Sequence, residues 1–404
     1  MNSSPDEMNG AEMRIAFVGN QDNNAYRLCK WIRSRGIDAH LYIFSRENST
    51  RSRPEQVDPE LADGYPSWVR SYDDDSGLWP LKRGPVARGI DDDYGLVVTS
   101  GATGLLAAGH FSAAPVVHLA LGSEVSQFPL WLWRRKTPLR WRAASFMMRR
   151  NLKRAARIVT LGFRPELEAL DKLNCADKAF VWGFPEDPEG NRRRVDGEEL
   201  TRLTAKYAEC DRVFIWTTRL NFLDPAAVDY KGADRFLDAL EMLADGGQCR
   251  FKAIVGSHGY DVDAFKALAG DKGLADRIDY IEHVPFHRML TCMSIPNGVV
   301  VNVIDADRGH IFGGIVREAM SLGTPVISAA DSDTVIRCYG ADCPIVRARD
   351  AASCRDAMSE IADMNDAQFA ELRRSTERWA DEHLHYHRRL DELLDMFGGV
   401  HGQI

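Results

Sequence analysis

Residues 299–329 read VVVNVIDADRGHIFGGIVREAMSLGTPVISA, and this stretch restricts the fold more than any other. Three valines followed by Asn302-Val303-Ile304 make an apolar run of the kind found in a strand buried on both faces. A polar break over 305–310 leads to Phe312-Gly313-Gly314, and a helical pattern follows over 315–322. Gly323-Thr324-Pro325 stops that helix, and Val326-Ile327-Ser328 opens another strand. Such a strand–loop–helix–strand unit sets a helix N-terminus at the carboxyl end of a strand. In an open α/β sheet ligands lie there, and the free N–H groups of the helix tip suit an anion. The two glycines let backbone approach that anion with no Cβ in the way.

Glu318 is the residue of this unit that needs a reason. At ~100° per residue, Ile315, Val316, Ala319, Met320 and Leu322 share one side of the helix, and Glu318 falls at the edge of that arc. A carboxylate there can border a cleft and accept two hydrogen bonds from a diol such as a ribose. The competing reading is that an acidic residue near a helix start only complements the dipole.

A chain of 404 residues is too long for one ordinary core, so two α/β domains are expected. Composition is globular, 45% hydrophobic and 27% charged, and the net charge of −8 argues against a general nucleic-acid binder. The eight cysteines (29, 175, 210, 249, 292, 338, 343, 354) form no CxxC pair, and residues 1–12 are polar and acidic, the reverse of a secretory leader. Reduced thiols in a cytosol are the expectation. The longest apolar candidate, 95–109, is broken by Ser100, Gly101, Thr103 and Gly104, short of the ~20 residues that span a bilayer. The protein is thus expected in the cytoplasm, soluble or peripheral on the inner face of the cell membrane.

Residues 14–19 read as a parallel-type strand, 26–35 as an amphipathic helix closed by Gly36, and 37–44 as the next strand. This βαβ opening predicts a Rossmann-like domain. Gly19 is the lone glycine of its turn, so G-x-G-x-x-G is absent and NAD is disfavoured. Residues 47–93, with prolines, Arg/Ser clusters and Asp triplets at 73–75 and 91–93, read as a solvated insertion with short helices. Strands follow over 94–100, ending in Gly101-Ala-Thr-Gly104, and 115–119, leading to Gly122-Ser123-Glu124. His118 at a strand end has two readings: a group that reaches substrate, or a structural histidine held by a backbone carbonyl.

Residues 128–157 hold ten Arg or Lys (134, 135, 136, 140, 142, 149, 150, 153, 154, 157) and no acidic residue. Trp131, Trp133, Trp141, Phe146, Met147 and Met148 are interleaved. In a chain that is acidic as a whole, the patch is local. Basic residues with Trp suit an anionic headgroup surface, where each Lys or Arg contributes ~1 kcal/mol. Trp131, Trp133, Arg134, Arg135, Lys136 and Arg140 are the expected acceptor-side and membrane contacts. A solvated helical face and a single-strand nucleic-acid groove are the alternatives, the second disfavoured by the acidic remainder.

A strand over 158–161, a helix over 165–173 and a strand over 180–184 complete a first domain assigned to 13–185. The run EDPEGNRRRV at 186–195 opens a linker taken to span 186–210. A second Rossmann-like domain, 211–377, follows from strands over 213–218, 251–255 (ending in Gly256-Ser-His258-Gly259) and 278–281, with helices over 233–243 and 286–293. Residues 379–397 read as one long charged helix, and 378–397 as the element that crosses back to the first domain.

Arg219 and Lys231 both fall at strand-to-helix transitions on the same edge as Gly313-Gly314. Two fixed cations and a helix tip would surround a diphosphate, Arg with a bidentate fork and Lys as a point charge. If that diphosphate leaves, charge grows on it in the transition state, and donors already in place lower the barrier without reorganising.

The Arg…Lys-Gly opening of the second domain and Phe-Gly-x-x-x-x-Glu-Ala-Met-x-x-Gly-x-Pro-Val-Ile from Phe312 onward resemble the retaining GT-B glycosyltransferases of family 4. The likeness covers roughly 213–330. In the first domain, His118-Leu-Ala-Leu-Gly-Ser-Glu124 is similar to the family segment that lines the sugar site, and residues 152–159 to the helix and strand after it. The resemblance implies an α/β GT-B architecture: two Rossmann-like domains facing a cleft, with a C-terminal helix crossing back. It implies a nucleotide-sugar donor with Arg219 and Lys231 on the diphosphate, Glu318 on the ribose, and Gly19, Gly256, Phe312, Gly313, Gly314 and Ile315 around them. It also implies transfer with retained configuration, no metal and no cofactor, with His118, Arg219, Lys231 and His310 at the reaction.

Two positions depart from the family. The first glutamate of its E-x7-E pattern, which contacts the transferred sugar, is His310 here, and eleven residues separate Arg219 from Lys231, leaving room for a covering loop. Asp305-Ala-Asp307 imitates a metal-binding D-x-D, but the same spelling recurs at 73–75, 91–93, 261–263 and 331–333. His383, His385 and His387 do not share one helical face, so a solvated face is preferred to a metal site. Base recognition is expected near His258 and 283–286. The expected activity is sugar transfer from a nucleotide-sugar to a lipid-linked saccharide or envelope glycan at an anionic membrane surface. The alternative is a catalytically weak GT-B module that binds a nucleotide-sugar or a protein partner.

Overall fold

A computed structural model describes residues 13–44, 52–72, 83–120, 122–133, 137–225, 230–247, 249–282, 285–303 and 312–402. The chain forms two compact units, Met1–Trp182 joined by Leu390–Ile404, and Gly183–Arg389.

The first unit carries β1 (Ile15–Val18), β2 (Ala39–Ile43), β3 (Val69–Ser71), β4 (Leu96–Ser100), β5 (Val116–Ala120), β6 (Arg157–Thr160) and β7 (Ala179–Val181). They form one sheet in the order β3-β2-β1-β4-β5-β6-β7, every pairing parallel. Covering helices bury both faces, which is why β1, β4 and β5 are buried at every residue.

The second unit carries β8 (Arg212–Trp216), β9 (Phe251–Gly256), β10 (Ile278–Ile281), β11 (Gly298–Asn302), β12 (Val326–Ser328) and β13 (Val346–Arg347). The sheet runs β10-β9-β8-β11-β12-β13, again all parallel. Its core is aromatic near the centre, where Trp216 stacks on Phe236 with centroids 5.1 Å apart. Counted from its own first strand, each sheet starts in the order 3-2-1-4-5-6. The order reverses between β1 and β4 in one unit and between β8 and β11 in the other. A crevice opens at such a reversal on the carboxyl side.

The opening stretch folds as its spelling predicts over its described residues, 299–303 and 312–329. β11 is buried throughout, Gly313 is the extended residue before the helix Gly314–Ser321, and Gly323 at φ +68° ends it. Three segments differ from expectation. The helix expected over 379–397 is two helices, Asp366–His383 and Tyr386–His401, interrupted where His385 pairs with Glu186. Within this break the Glu186 N–H donates to Leu384 O and the Tyr386 N–H to Glu186 O, at 2.8 and 2.9 Å. The insertion supplies the edge strand β3 as well as short helical turns. The segment expected as a linker carries helices Pro188–Arg193 and Gly197–Lys206 and groups with the second unit.

Candidate functional site

The carboxyl edge of the second sheet is tied together by two side chains. Asn221, in the loop after β8, accepts the Tyr260 N–H through its side-chain oxygen at 2.8 Å and the Lys231 N–H through its backbone oxygen at 2.8 Å. Asp261, after β9, accepts the Phe222 and Leu223 N–H groups at 2.7 and 3.0 Å. Main-chain bonds from Leu220 to His258 O and from Asp261 to Leu220 O complete the join. The approach is close enough to require glycine: a Cβ on Gly259, which sits at φ +128°, would lie 2.5 Å from Leu220 O. Gly256 closes β9 beside Thr217 and His258.

This knot positions the two expected cations. The Asn221 N–H donates to Arg219 O at 3.1 Å, so Arg219 and Lys231 are each one main-chain bond from Asn221. Both are half-buried, and among the described residues the Arg219 guanidinium has no partner. Neighbouring strands lie ~4.8 Å apart. β11 pairs with β8, and its last residue Asn302 reaches across to the Thr218 hydroxyl at 3.4 Å, so the β8 and β11 loops leave the sheet side by side.

Beyond β11 the chain re-enters at Phe312, buried against Tyr339 and Trp379 with ring centroids 5.3 and 5.7 Å away. Gly313, Gly314 and Ile315 are half-buried at the helix tip. The helical ladder begins with the Arg317 N–H donating to Gly313 O, which leaves the N–H groups ahead of it outside the ladder. Glu318 is buried to 6% exposure, and its Oε1 lies 3.8 Å from the position a Gly314 Cβ would take. Arg317, which spelling alone did not single out, brings Nη2 to 3.9 Å from the same point. Its signal was an arginine next to Glu318 in a helix whose other buried residues are small or apolar.

His310, His283, Asp305 and Asp307 lie outside the described residues, as do Arg134, Arg135, Lys136 and the side chain of Trp133.

His118 is corrected by the structure. It is the middle residue of β5, fully buried, with Nδ1 3.0 Å from the Thr99 hydroxyl on β4. Burial pushes its pKa down to about 3, so the ring is neutral, and its Nε2 is buried without a partner among the described residues. Gly19 belongs to the first unit, where a Cβ would meet Ser100 O at 2.3 Å, so close packing of β1 on β4 explains the glycine.

Sequence reading also missed a buried acidic pair in the first unit. Glu166 is fully buried, accepts from the Thr160 hydroxyl, and leaves Oε1 without a partner among the described residues. Burial, with the charge of Glu124 added, raises its pKa well above the usual carboxylate range.

No family model and no curated protein matches the sequence. Solved structures do. HepE of Anabaena, crystallised with UDP and glucose, is similar over 96% of this chain and 100% of its own, at 14% identity and a TM-score of 0.66. The lipopolysaccharide outer core galactosyltransferase WaaB is similar over 91% and 95%, at 13% identity and 0.56. A putative UDP-N-acetylglucosamine 2-epimerase of Listeria monocytogenes is similar over 93% of each chain, at 13% identity and 0.53. At these identities the likeness establishes the fold: two parallel sheets flanked by helices, the α/β fold of GT-B proteins.

Proposed function

We propose that the chain is a nucleotide-sugar-dependent glycosyltransferase whose donor diphosphate is held by Arg219, Lys231 and the Gly313–Gly314 helix tip, with Glu318 on the ribose. The observation that carries this reading is the knot between the loops after β8 and β9, beside the β8/β11 reversal that Asn302 bridges to Thr218. Asn221 holds the segments of both cations on the same sheet edge from which the glycine-tipped helix departs. Cations fixed beforehand by backbone bonds stabilise a leaving diphosphate without reorganising, and that is where the rate enhancement would come from. Transfer proceeds with retention and without a metal, the leaving phosphate taking the acceptor proton. HepE, solved with UDP and glucose, supports the donor class.

The acceptor is a lipid-linked saccharide or envelope glycan reached at a membrane surface. Two things support this: the likeness to WaaB, a lipopolysaccharide galactosyltransferase, and the face of the helix Leu139–Arg154. Leu139 and Phe146 are 83% and 58% exposed. At ~100° per residue they share one side with Arg142, Arg150 and Lys153. No helix among the described residues is long and apolar enough to cross a membrane.

The test is incubation with UDP-, GDP- and ADP-sugars, with and without EDTA, followed by separation of the products. Slow release of nucleoside diphosphate with a free sugar of unchanged identity, insensitive to EDTA and abolished in Lys231→Ala and Glu318→Ala, is expected. Loss of activity with EDTA removes the metal-free mechanism. Release of an epimerised sugar redirects the assignment to the chemistry named for the Listeria neighbour. Tight binding without turnover selects a second reading, a nucleotide-sugar-binding module, which His310 in place of glutamate favours.

A further inference from the structure

We propose that Arg317 is a further donor ligand, one that grips the terminal phosphate of the nucleoside diphosphate. The inference rests on the donor reading above and deepens it.

The Arg317 side chain is 4% exposed, and its hydrogen bonds divide unevenly around the planar fork. Nε faces the buried carboxylate of Glu186 at 3.3 Å, and Nη1 donates to Phe312 O at 2.9 Å. The ring of Phe184 lies beneath, 5.3 Å from the central carbon. These contacts leave Nη2, with two N–H groups, making no hydrogen bond among the described residues. Nη2 stands 3.9 Å from where a Gly314 Cβ would be, at the end of the helix where the N–H groups ahead of Arg317 lie outside the helical ladder.

The Nη2 edge is the part of this held guanidinium that meets no protein acceptor among the described residues, so a ligand oxygen there completes the fork with a charge-assisted hydrogen bond. The Phe312 carbonyl and Glu186 hold the fork in one plane, so the open edge is preset in direction. A tetrahedral phosphate oxygen satisfies both the Nη2 edge and the tip amides. Glu318 Oε1, 3.8 Å from the same Cβ position, suits a hydroxyl donor instead. The pair therefore separates a ligand's phosphate end from its sugar end across one glycine. The acceptor of the Arg317 edge is a phosphate beyond the first, which a nucleoside monophosphate lacks.

The experiment is calorimetric titration of the full chain with UDP, GDP and ADP. The best-bound of these is then compared with its own monophosphate. Wild type is compared with the double variant Glu186→Gln/Arg317→Met, which removes the buried pair as a unit, and with Arg317→Lys. A thermal melt accompanies each protein. For a double variant that melts near wild type, diphosphate affinity is expected to fall about tenfold, on the scale of one charge-assisted hydrogen bond, with monophosphate affinity unchanged. Arg317→Lys, a point charge that cannot serve Glu186, Phe312 O and a phosphate together, is expected to lose part of the same preference. It decides the matter if the double variant does not fold. Diphosphate binding at wild-type strength in either folded variant overturns the proposal. So does an equal loss for diphosphate and monophosphate, which marks a general collapse of the tip. If wild type binds none of the three diphosphates, the donor reading falls with it; if wild type binds and the variants show either overturning result, the donor reading stands alone.

Discussion

The side-chain oxygen of Asn221 accepts the backbone N–H of Tyr260 at 2.8 Å, joining the loops that follow β8 and β9. Asn221 is 4% exposed, so an apolar replacement leaves the part-buried Tyr260 amide without its protein acceptor. Asn221→Leu is expected to lower stability by about 1–3 kcal/mol. The main-chain bonds of Asn221 to Arg219 and Lys231 remain, but the loop that carries them loses its side-chain tie to the β9 loop, and diphosphate binding is expected to weaken with it. Asn221→Asp keeps an acceptor oxygen and is expected to retain more of both. Urea unfolding alongside nucleotide titration checks the pairing of the two losses. Full diphosphate affinity in a destabilised Asn221→Leu protein would detach the knot from the site.

Gly314 separates folding from binding. A methyl there would meet Glu318 Oε1 and Arg317 Nη2 at 3.8 and 3.9 Å, ordinary van der Waals distances, and its backbone is not left-handed. Gly314→Ala is therefore expected to leave the melting temperature within a few degrees of wild type. The methyl occupies the space between the two polar groups, so nucleoside-diphosphate affinity is expected to fall about tenfold or more, the scale of one lost charge-assisted contact. Unchanged affinity in this variant would mean that no ligand enters between Glu318 and Arg317.

Glu166 gives a pH signature of defined sign. Burial raises its folded-state pKa, Glu124 adds repulsion, and the Thr160 hydroxyl and the Leu161 N–H partly oppose the rise. The folded state then holds a proton that the unfolded chain releases near 4.5. Stability linked to this group is present below that pH and is lost as pH rises through the folded value. Each tenfold difference in proton affinity between the two states is worth ~1.4 kcal/mol. Glu166→Gln, neutral at every pH, is expected to be more stable than wild type at pH 7 and to converge with it near pH 4. Denaturant midpoints at the two pH values read this directly. A variant less stable at pH 7 would show that Glu166 is ionised and satisfied in the folded state.

His118 has the opposite linkage. Its folded pKa is depressed to about 3 by burial, so below the unfolded value of 6.5 the unfolded chain binds a proton that the folded one refuses. Stability is present above 6.5 and lost as pH falls toward 3. His118→Leu is expected to cost about 1 kcal/mol at pH 7, the scale of the lost Thr99 contact. It should also flatten the fall of stability on the acid side of neutrality. A buried neutral ring also predicts that the pH dependence of sugar transfer carries no imidazole titration from this residue. A profile whose limb in the imidazole range disappears in His118→Leu would restore it to the chemistry.

Why some of this was legible follows from how far each signal reaches along the chain. β11 and the helix Gly314–Ser321 were readable because a buried parallel strand is a continuous apolar run and the helix carries its own stop at Gly323. Arg219 and Lys231 could be placed on one edge from strand order alone. The role of Arg317 could not, because Glu186 lies 131 residues away and no local period records that pairing. The break at His385 was hidden for the same reason, being fixed by main-chain bonds to Glu186 inside an otherwise helical pattern. His118 was misplaced because period-two patterning gives a strand's faces and not the depth of a residue along it.

The helix Leu139–Arg154 allows the membrane reading to be tested apart from catalysis. Its buried side is Ser145, Met148, Asn151 and Leu152, which anchor it to the first unit. Trp131 packs edge-on against Trp141 at 5.7 Å, and Arg140 lies over the Trp141 ring at 5.9 Å, so the aromatic rim is held by its own contacts. On the opposite side Leu139 and Phe146 are exposed among arginines. Two exposed apolar side chains contribute too little area for neutral-lipid binding, so the cations must supply most of the attraction, at ~1 kcal/mol each near an anionic surface. Flotation with vesicles containing phosphatidylserine is expected to recover the protein, to weaken as salt screens the charges, and to fail on purely zwitterionic vesicles. Arg142→Ser/Arg150→Ser is expected to cut vesicle affinity by about tenfold or more, on that per-charge scale, and Leu139→Ser/Phe146→Ser by less, with donor hydrolysis in solution unchanged in both. Equal recovery on zwitterionic vesicles, or no response to the arginine pair, would leave this face an ordinary solvated helix and the acceptor without a membrane.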